Sequence, residues 1–361
     1  YLNNMNNEGT SFFTDENVWR WMLGLELIPA ISYFFFMFLV PKSPRWLFMK
    51  NIIDEAKTVL RKIYGAEQAE IEIDSIESNV NQQKNKEKVK LLELLKPSLR
   101  FIVIVGLVLG VLQQITGINA IFYYAPHIFE QAGGSTDSSF LQAIVVGLTN
   151  LVFTLVAIRL IDRLGRKPLL IIGTATMAIA LSMATLAFNN ASYDINNETI
   201  EKIENVEIKT AIEGLRGMSF SSQKELFSSL EPMLNENQLY EFKRNEVKNF
   251  ISINATLVLI AILLYVAAFA ISLGPVMWTL LSEIFPGNIK GIAISVVGFF
   301  NSLVSYTVTQ FFPWELTNLG PTLTFAIYAG MAILSLLFVM KFVIETKGKS
   351  LEEVEELLIK N

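Results

Sequence analysis

FIVIVGLVLGVLQQITGINAIFYY, residues 101–124, is apolar enough and long enough to cross a bilayer, yet three amides sit inside it. A span that only crosses lipid has no use for Gln113, Gln114 and Asn119. On a straight helix, at about 100° per residue, Asn119 projects roughly opposite the glutamine pair. One group would then face hydrocarbon, where polar side chains are costly. Gly117 lies between the two groups. We expect the helix to break there, turning Asn119 and Tyr123 back to the side of the glutamines.

Six further apolar segments of spanning length lie outward from this one, at about 18–41, 140–161, 168–188, 252–282, 291–312 and 321–343. The chain is 52% hydrophobic, with 26 phenylalanines. The class is an integral membrane protein, all-α. Net charge is −5, with no basic stripe, so nucleic acid is not an expected partner. There is no cysteine and a single histidine, His127. Thiol chemistry, cysteine-ligated metals and His-based triads are therefore not expected. No nucleophile–base pair or metal-ligand set is visible, so neither an enzyme nor a cofactor is expected.

Lysine and arginine set the orientation. Lys42, Arg45, Lys50, Lys57, Arg61 and Lys62, the lysines from Lys84 to Lys96, Arg159 to Lys167, and Lys341 to Lys349 all fall on one side. Residues 126–139 and 313–320 carry no lysine or arginine and fall on the other. The charged side is expected to be cytoplasmic. On that side IIDEAKTVLRKIYG (52–65) and EIEIDSIESNV (70–80) read as amphipathic surface helices. The external stretch 189–250 contains ETIEKIENVEIKTAIEGL and SSQKELFSSLEPML, which read as short amphipathic helices. It is either a solvated cap or a lid or partner site.

Three amides and the phenols of Tyr123 and Tyr124 within twelve residues exceed helix cross-linking and point to a ligand site. Amides and phenols donate and accept without net charge, so the ligand is neutral and hydroxyl-rich. Asn150 and Asn301, each mid-span, are either ligand contacts or cross-links between helices. Gly274 and Pro275 interrupt another span, as in the broken helices of transporters. Trp278, one turn on, is either an interfacial or core residue or a flat apolar face for a ligand. Glu26, beside Pro29, is a possible proton carrier or a structural partner.

Three charged motifs, DRLGRKP (162–168), SEIFPGNIKG (282–291) and VIETKGKSLEE (343–353), end spans on the cytoplasmic side. Positive-inside anchoring accounts for Arg166 and Lys167 but not for Glu283 and Glu345. Acid and base at one depth suggest an ion-pair network, a bistable element that shuts the cytoplasmic side.

Taken in order, PKSPRWL, QQITGINAIFYYAP, DRLGRKPL, GPVMWTLLSEIFP and ETKGKSLEE resemble the sugar porter family of the major facilitator superfamily, over nearly the whole chain except 189–250. LLYVAAFAISLGPVMW and KFVIETKGKSLEE look most like its bacterial xylose–proton symporters. The resemblance implies twelve helices in two six-helix bundles, with alternating access around a central sugar. It implies an external loop end and helix 6 over 1–48, cytoplasmic helices over 49–98, helices 7–12 over 99–343 and a cytoplasmic tail over 344–361. It assigns sugar contacts to Gln113, Gln114, Asn119, Tyr123, Asn150, Trp278 and Asn301. It assigns the cytoplasmic gate to Asp162, Arg163, Arg166, Glu283, Lys290 and Glu345. Three positions depart from the family: Lys42 for its usual acid, Lys290 for its usual Arg, and Ser302 for its frequent Trp. The insertion at 189–250 departs as well.

The expected partners are a monosaccharide (a pentose such as xylose, or a hexose), with a proton as a further candidate, the lipid bilayer, and a preceding six-helix half not in this sequence. The proton-coupling residues of the family would lie in that half. The alternatives are an uncoupled facilitator, a sugar sensor or an inactive truncated product. A bacterial inner membrane is the expected location.

Overall fold

The computed structural model describes residues 18–71, 73, 74, 76, 91–203, 205–287 and 289–349. Expectations for residues 1–17, for much of 70–90 and for the tail beyond 349 lie outside the described residues. The chain forms two compact units, residues 1–88 and 89–361.

In the first unit, α1 (Val18–Gly24) and α2 (Leu27–Met37) are separated by a turn at Leu25–Glu26. Pro29 offers no N–H to the carbonyl four residues back, Leu25, and its ring crowds that carbonyl. The span expected over 18–41 is therefore two helices of 7 and 11 residues, each too short alone to cross a bilayer. Then come α3 (Pro44–Met49) and α4 (Ile53–Tyr64). Acidic Asp54 and Glu55 open α4 and basic Arg61 and Lys62 close it, each complementing the helix dipole. Ala56, Val59 and Leu60 pack with Leu47, Phe48 and Ile73 into a small core. Lys42 pairs with Glu55 at 3.3 Å, an exposed ion pair of little energetic weight.

The second unit holds six membrane-length apolar spans among the described residues: Leu99–Gln131, Ser138–Leu164, Arg166–Asn189, Ala255–Ile284, Lys290–Asn318 and Gly320–Phe342. The first consists of α5 (Pro97–Ile115) and α6 (Ile118–Gln131). Next are α7 (Thr136–Leu164) and α8 (Arg166–Asn189). The insertion at 189–250 contributes α9 (Asn197–Glu201), α10 (Val206–Ile212), α11 (Gln223–Leu230) and α12 (Glu236–Glu241). The remaining spans are α13 (Ala255–Ile271) with α14 (Leu273–Ile284), α15 (Lys290–Asn318) and α16 (Gly320–Phe342).

Among the spans, α8 packs against α13 and α16, α5 against α15, and α7 against α6 and α13. Small residues line the buried face of α8: Gly173, Ala180 and Ala184, with Met177 and Leu181 filling the spaces. Most of α7 is exposed.

The insertion is more than amphipathic helices. Three short strands, β1 (Ser192–Asp194), β2 (Ser219–Phe220) and β3 (Ile251–Ser252), form an antiparallel sheet in the order β2-β1-β3. Pairing of β1 with β3 joins the two ends of the insertion. Two- and three-residue strands carry too little period-2 signal to be read from sequence. Asn196, Asn205, Ser222 and Asn235 each cap a helix with a side-chain oxygen. Tyr193, Ile208, Ile212, Leu226, Leu230 and Phe242 belong to a separate core. Lys248 ties this body to Glu130 at the end of α6, at 3.3 Å.

Candidate functional site

The backbone of the first span breaks where α5 ends. Thr116 caps α5, and Gly117 takes φ +88°, a left-handed conformation that favours glycine. Two tyrosines from other spans hold the break. The buried Tyr265 of α13 donates to the Thr116 carbonyl at 2.8 Å, satisfying an acceptor that the break releases. The ring of Tyr328 on α16 lies 2.8 Å from where a Cβ on Gly117 would sit. Its hydroxyl donates to Glu315 Oε2 at 2.8 Å. Glu315, Tyr265 and Tyr328 escape a sequence reading because each belongs to a different span.

The other broken span is interrupted two residues earlier than Gly274–Pro275. Ser272 leaves helical geometry (φ −127°, ψ −100°), and α14 begins at Leu273. Gly274 and Pro275 fall in the first turn of α14. There the missing proline N–H would have no intrahelical partner in any case. The ring would clash with the carbonyl of Ile271, so the helix yields just after that residue.

The two breaks are joined by amides. Gln113 Nε2 donates to the Leu273 carbonyl at 2.7 Å and to the Gly274 carbonyl at 3.4 Å. Asn301 Nδ2 donates to Gln113 Oε1 at 2.7 Å and to the Gly110 carbonyl at 2.8 Å. Gln114 Nε2 donates to Asn301 Oδ1 at 3.1 Å and to Gln113 Oε1 at 3.4 Å. Asn119 Nδ2 donates to Gln114 Oε1 at 3.0 Å and to Ser305 Oγ at 2.6 Å. Asn119 and the glutamines thus share one side, because the turn at Gly117 re-aims α6. The side-chain nitrogens of Gln113, Gln114, Asn119 and Asn301 each have two acceptors, as a buried polar network requires.

Gln114, Asn119, Tyr123 and Asn301 line a cavity of about 380 Å³, within the range of small-ligand sites. Its remaining wall is Ser302, Ser305, Tyr306, Thr309 and Gln310, all on α15. The signal for this wall was present in the sequence. Positions 302, 305, 306, 309 and 310 follow the helical i, i+3, i+4, i+7, i+8 spacing. Three of the expected contacts do not line it. Gln113 is buried behind the cavity, fixing α14. Trp278 is 39% exposed on α14, and Asn150 is half-buried on α7. A larger cavity of about 650 Å³ lies among Leu91, Leu94, Leu95, Phe299 and Phe300. It is almost wholly apolar and offers nothing to recognise hydroxyl groups.

At the end assigned to the cytoplasm, Arg166 grips Glu283 with both prongs. Nη2 donates to Oε1 at 2.7 Å and Nε to Oε2 at 3.0 Å. Thr346 Oγ1 donates to Glu283 Oε2 at 2.5 Å. Asp162 approaches Arg166 at 3.5 Å from an exposed position. Arg163 joins through its backbone: Lys347 Nζ donates to its carbonyl at 2.6 Å. Lys290 is the half-buried first residue of α15.

Glu345 plays a different part from the ion pairing expected of it. Its carboxylate accepts from the backbone N–H of Arg166 at 3.1 Å and of Lys167 at 3.0 Å, capping α8. A helix N-terminus is an anion site in itself. Gly165, at φ +94°, admits it, since a Cβ there would lie 2.7 Å from Glu345 Oε2. Burial raises the Glu345 carboxyl, but backbone N–H groups of Lys347, Arg166, Lys167 and Thr346 together hold it below the usual range.

These features define a multi-pass helical membrane protein whose polar site is built on two interrupted spans. The family model described as "Sugar (and other) transporter" matches residues 2–212 and 240–358, and the chain belongs to that family. The unmatched residues 213–239 lie inside the insertion. The chain is 33% identical to the D-xylose-proton symporter of Escherichia coli strain K12, over 97% of this chain and 59% of that protein. It is 32% identical to the arabinose-proton symporter of Bacillus subtilis, over 95% of this chain and 60% of that one. A solved structure of the proton:xylose symporter XylE, bound to 6-bromo-6-deoxy-D-glucose, matches with a TM-score of 0.69 at 32% identity. The match covers 99% of this chain and 62% of that one. The inward open XylE from E. coli matches at 0.56, with 30% identity, over 99% and 60% of the two chains. The chain thus spans about three fifths of the length of the relatives it matches.

Proposed function

We propose that the protein moves a neutral sugar across a membrane by alternating access, with a pentose or hexose ring seated at Gln114, Asn119, Tyr123 and Asn301. The observation that carries this reading is the amide chain strung between two helix breaks. Uncharged donors and acceptors meet at a bend within the span, and among the described residues no Arg or Lys lines the cavity to favour an anion. Gln113 acts behind the sugar, transmitting its position to the broken start of α14. Arg166, Glu283, Thr346 and Glu345 close the cytoplasmic end in this state. Their separation opens it.

Coupling to a proton is the second part of the proposal, and the names of the two symporter relatives support it. The action is binding and movement, not bond chemistry. Uptake into liposomes by the intact protein tests both parts, using a pentose and hexose panel with and without a proton ionophore. Saturable uptake that the ionophore reduces is expected. Uptake indifferent to the ionophore means facilitation, and no uptake of any sugar contradicts the reading.

A further inference from the structure

The sugar site uses the first turns of α6 and leaves the far end of that helix unexplained. α6 has a glycine hinge at each end: Gly117 takes φ +88° before it and Gly133 takes φ +82° after it. The insertion grips this far end. Lys248 Nζ donates to Glu130 Oε2 at 3.3 Å, with the lysine side chain 33% and the glutamate side chain 16% exposed. Ile251 Cγ2 lies 3.6 Å from where a Cβ on Gly133 would sit. Lys248 is not a loose arm, because Val247 and Phe250 on either side of it are buried in the insertion's own core. Ile251 and Ile253 pack against that core and against the core of the spans. The same body also reaches the turn from α15 to α16. Gln223, which opens α11, lies so close over Gly320 that a Cβ there would sit 2.5 Å from its Oε1. Asn119 and Tyr123 on α6 and Ser305, Thr309 and Gln310 on α15 line the cavity. The insertion therefore touches the ends of both helices that wall it.

We propose that the insertion at 189–250 is a strap between the end of α6 and the turn from α15 to α16, and that it restrains the opening of the sugar cavity at that end. A helix hinged by glycine at both ends swings as a unit about those hinges. The amide chain fixes α6 near Gly117, and the strap fixes it near Gly133. Glu130–Lys248 is the part of the strap that opens and closes, because it is the polar contact across the seam. An exposed ion pair between two free side chains carries little weight, as at Lys42–Glu55. Here the carboxylate is shielded and the lysine is carried on a packed backbone, so less side-chain freedom is lost in forming the pair. A tie of this strength slows the swing of α6 without locking it. What the opening admits rests on the sugar-site reading; the strap itself does not.

Charge exchange across the pair tests it in the intact protein, with Glu130→Lys, Lys248→Glu and the double exchange compared with wild type. Measurement at about pH 8 keeps His127, whose Nδ1 stands 3.9 Å from the same Glu130 oxygen, uncharged. Each single variant should speed hydrogen exchange at residues 121–131 about twofold to fivefold while α8 is unchanged. Each should also raise the initial rate of D-xylose or D-glucose uptake into liposomes by a similar factor. The double exchange should return both to within about twofold of wild type. Melting temperatures show that the variants fold, and Lys248→Met, which keeps the stem and removes the charge, is the milder substitute if a reversal does not. Unchanged exchange in the single variants, or a double exchange that restores nothing, overturns the strap. Faster exchange with unchanged uptake overturns it as well, since the tie would then be structural only. If wild type takes up no sugar, the transport reading fails, and hydrogen exchange alone decides whether the insertion holds the end of α6.

Discussion

Gly117 concentrates the physics of the site in one residue. Its left-handed backbone costs an L-residue about 1–2 kcal/mol, and the Tyr328 ring occupies the space of a side chain. Gly117→Ala should lower the melting temperature and weaken sugar binding together, because the strain is relieved only by straightening the span. Unchanged melting and binding would show that the turn has no such role. At the other end Glu345 offers a test with a definite sign. Its carboxyl is held low in the folded protein, so its stabilising contribution is present above the unfolded value. The contribution is lost as pH falls through the folded one. Acidifying from about pH 6 to about pH 3 should therefore erode the difference in melting temperature between wild type and Glu345→Gln. A constant difference would contradict the capping role.

At the level of elements, the breaks were partly legible. A glycine between two groups of amides on opposite helix faces marks the first break in the sequence alone. The second is displaced from Gly274–Pro275 to Ser272, because proline acts on the carbonyl four residues before it. The same rule divides α1 from α2 at Leu25–Glu26, ahead of Pro29. Proline does not suffice by itself, since Pro126 and Pro313 lie inside continuous helices. What sequence could not supply is the partners from distant spans. Tyr265 is 149 residues from the carbonyl it caps, and Gln113 is 160 residues from the one it holds. Tyr265→Phe leaves the Thr116 carbonyl unpaired in the interior, at a cost of about 1–3 kcal/mol. Hydrogen exchange at residues 117–121 should accelerate in that variant while exchange in α8 is unchanged. Equal protection in both proteins would show that the phenol is not needed there.

For the molecule as a whole, the two ends of the second unit do different work. The end expected to be external carries an insertion with its own core, tied to α6 by Lys248 and Glu130. At the end expected to be cytoplasmic, α8, α14 and the segment after α16 meet at Arg166 and Glu283, the closure proposed above. Lysine cannot reproduce the two-pronged contact of arginine. Since the chain has no cysteine, a single one placed at the half-buried Ser282 reports on that closure. Arg166→Lys should raise its rate of thiol labelling severalfold, and an unchanged rate would contradict a gate at this position. The central claim, that amides strung between two helix breaks hold a sugar, is tested most directly by calorimetric titration of the intact protein. D-xylose and D-glucose would be titrated into wild type and into Asn119→Ala. We expect saturable binding of at least one sugar to wild type, weakened about tenfold or more in Asn119→Ala, with the fold intact. Equal affinity in the two proteins would contradict it.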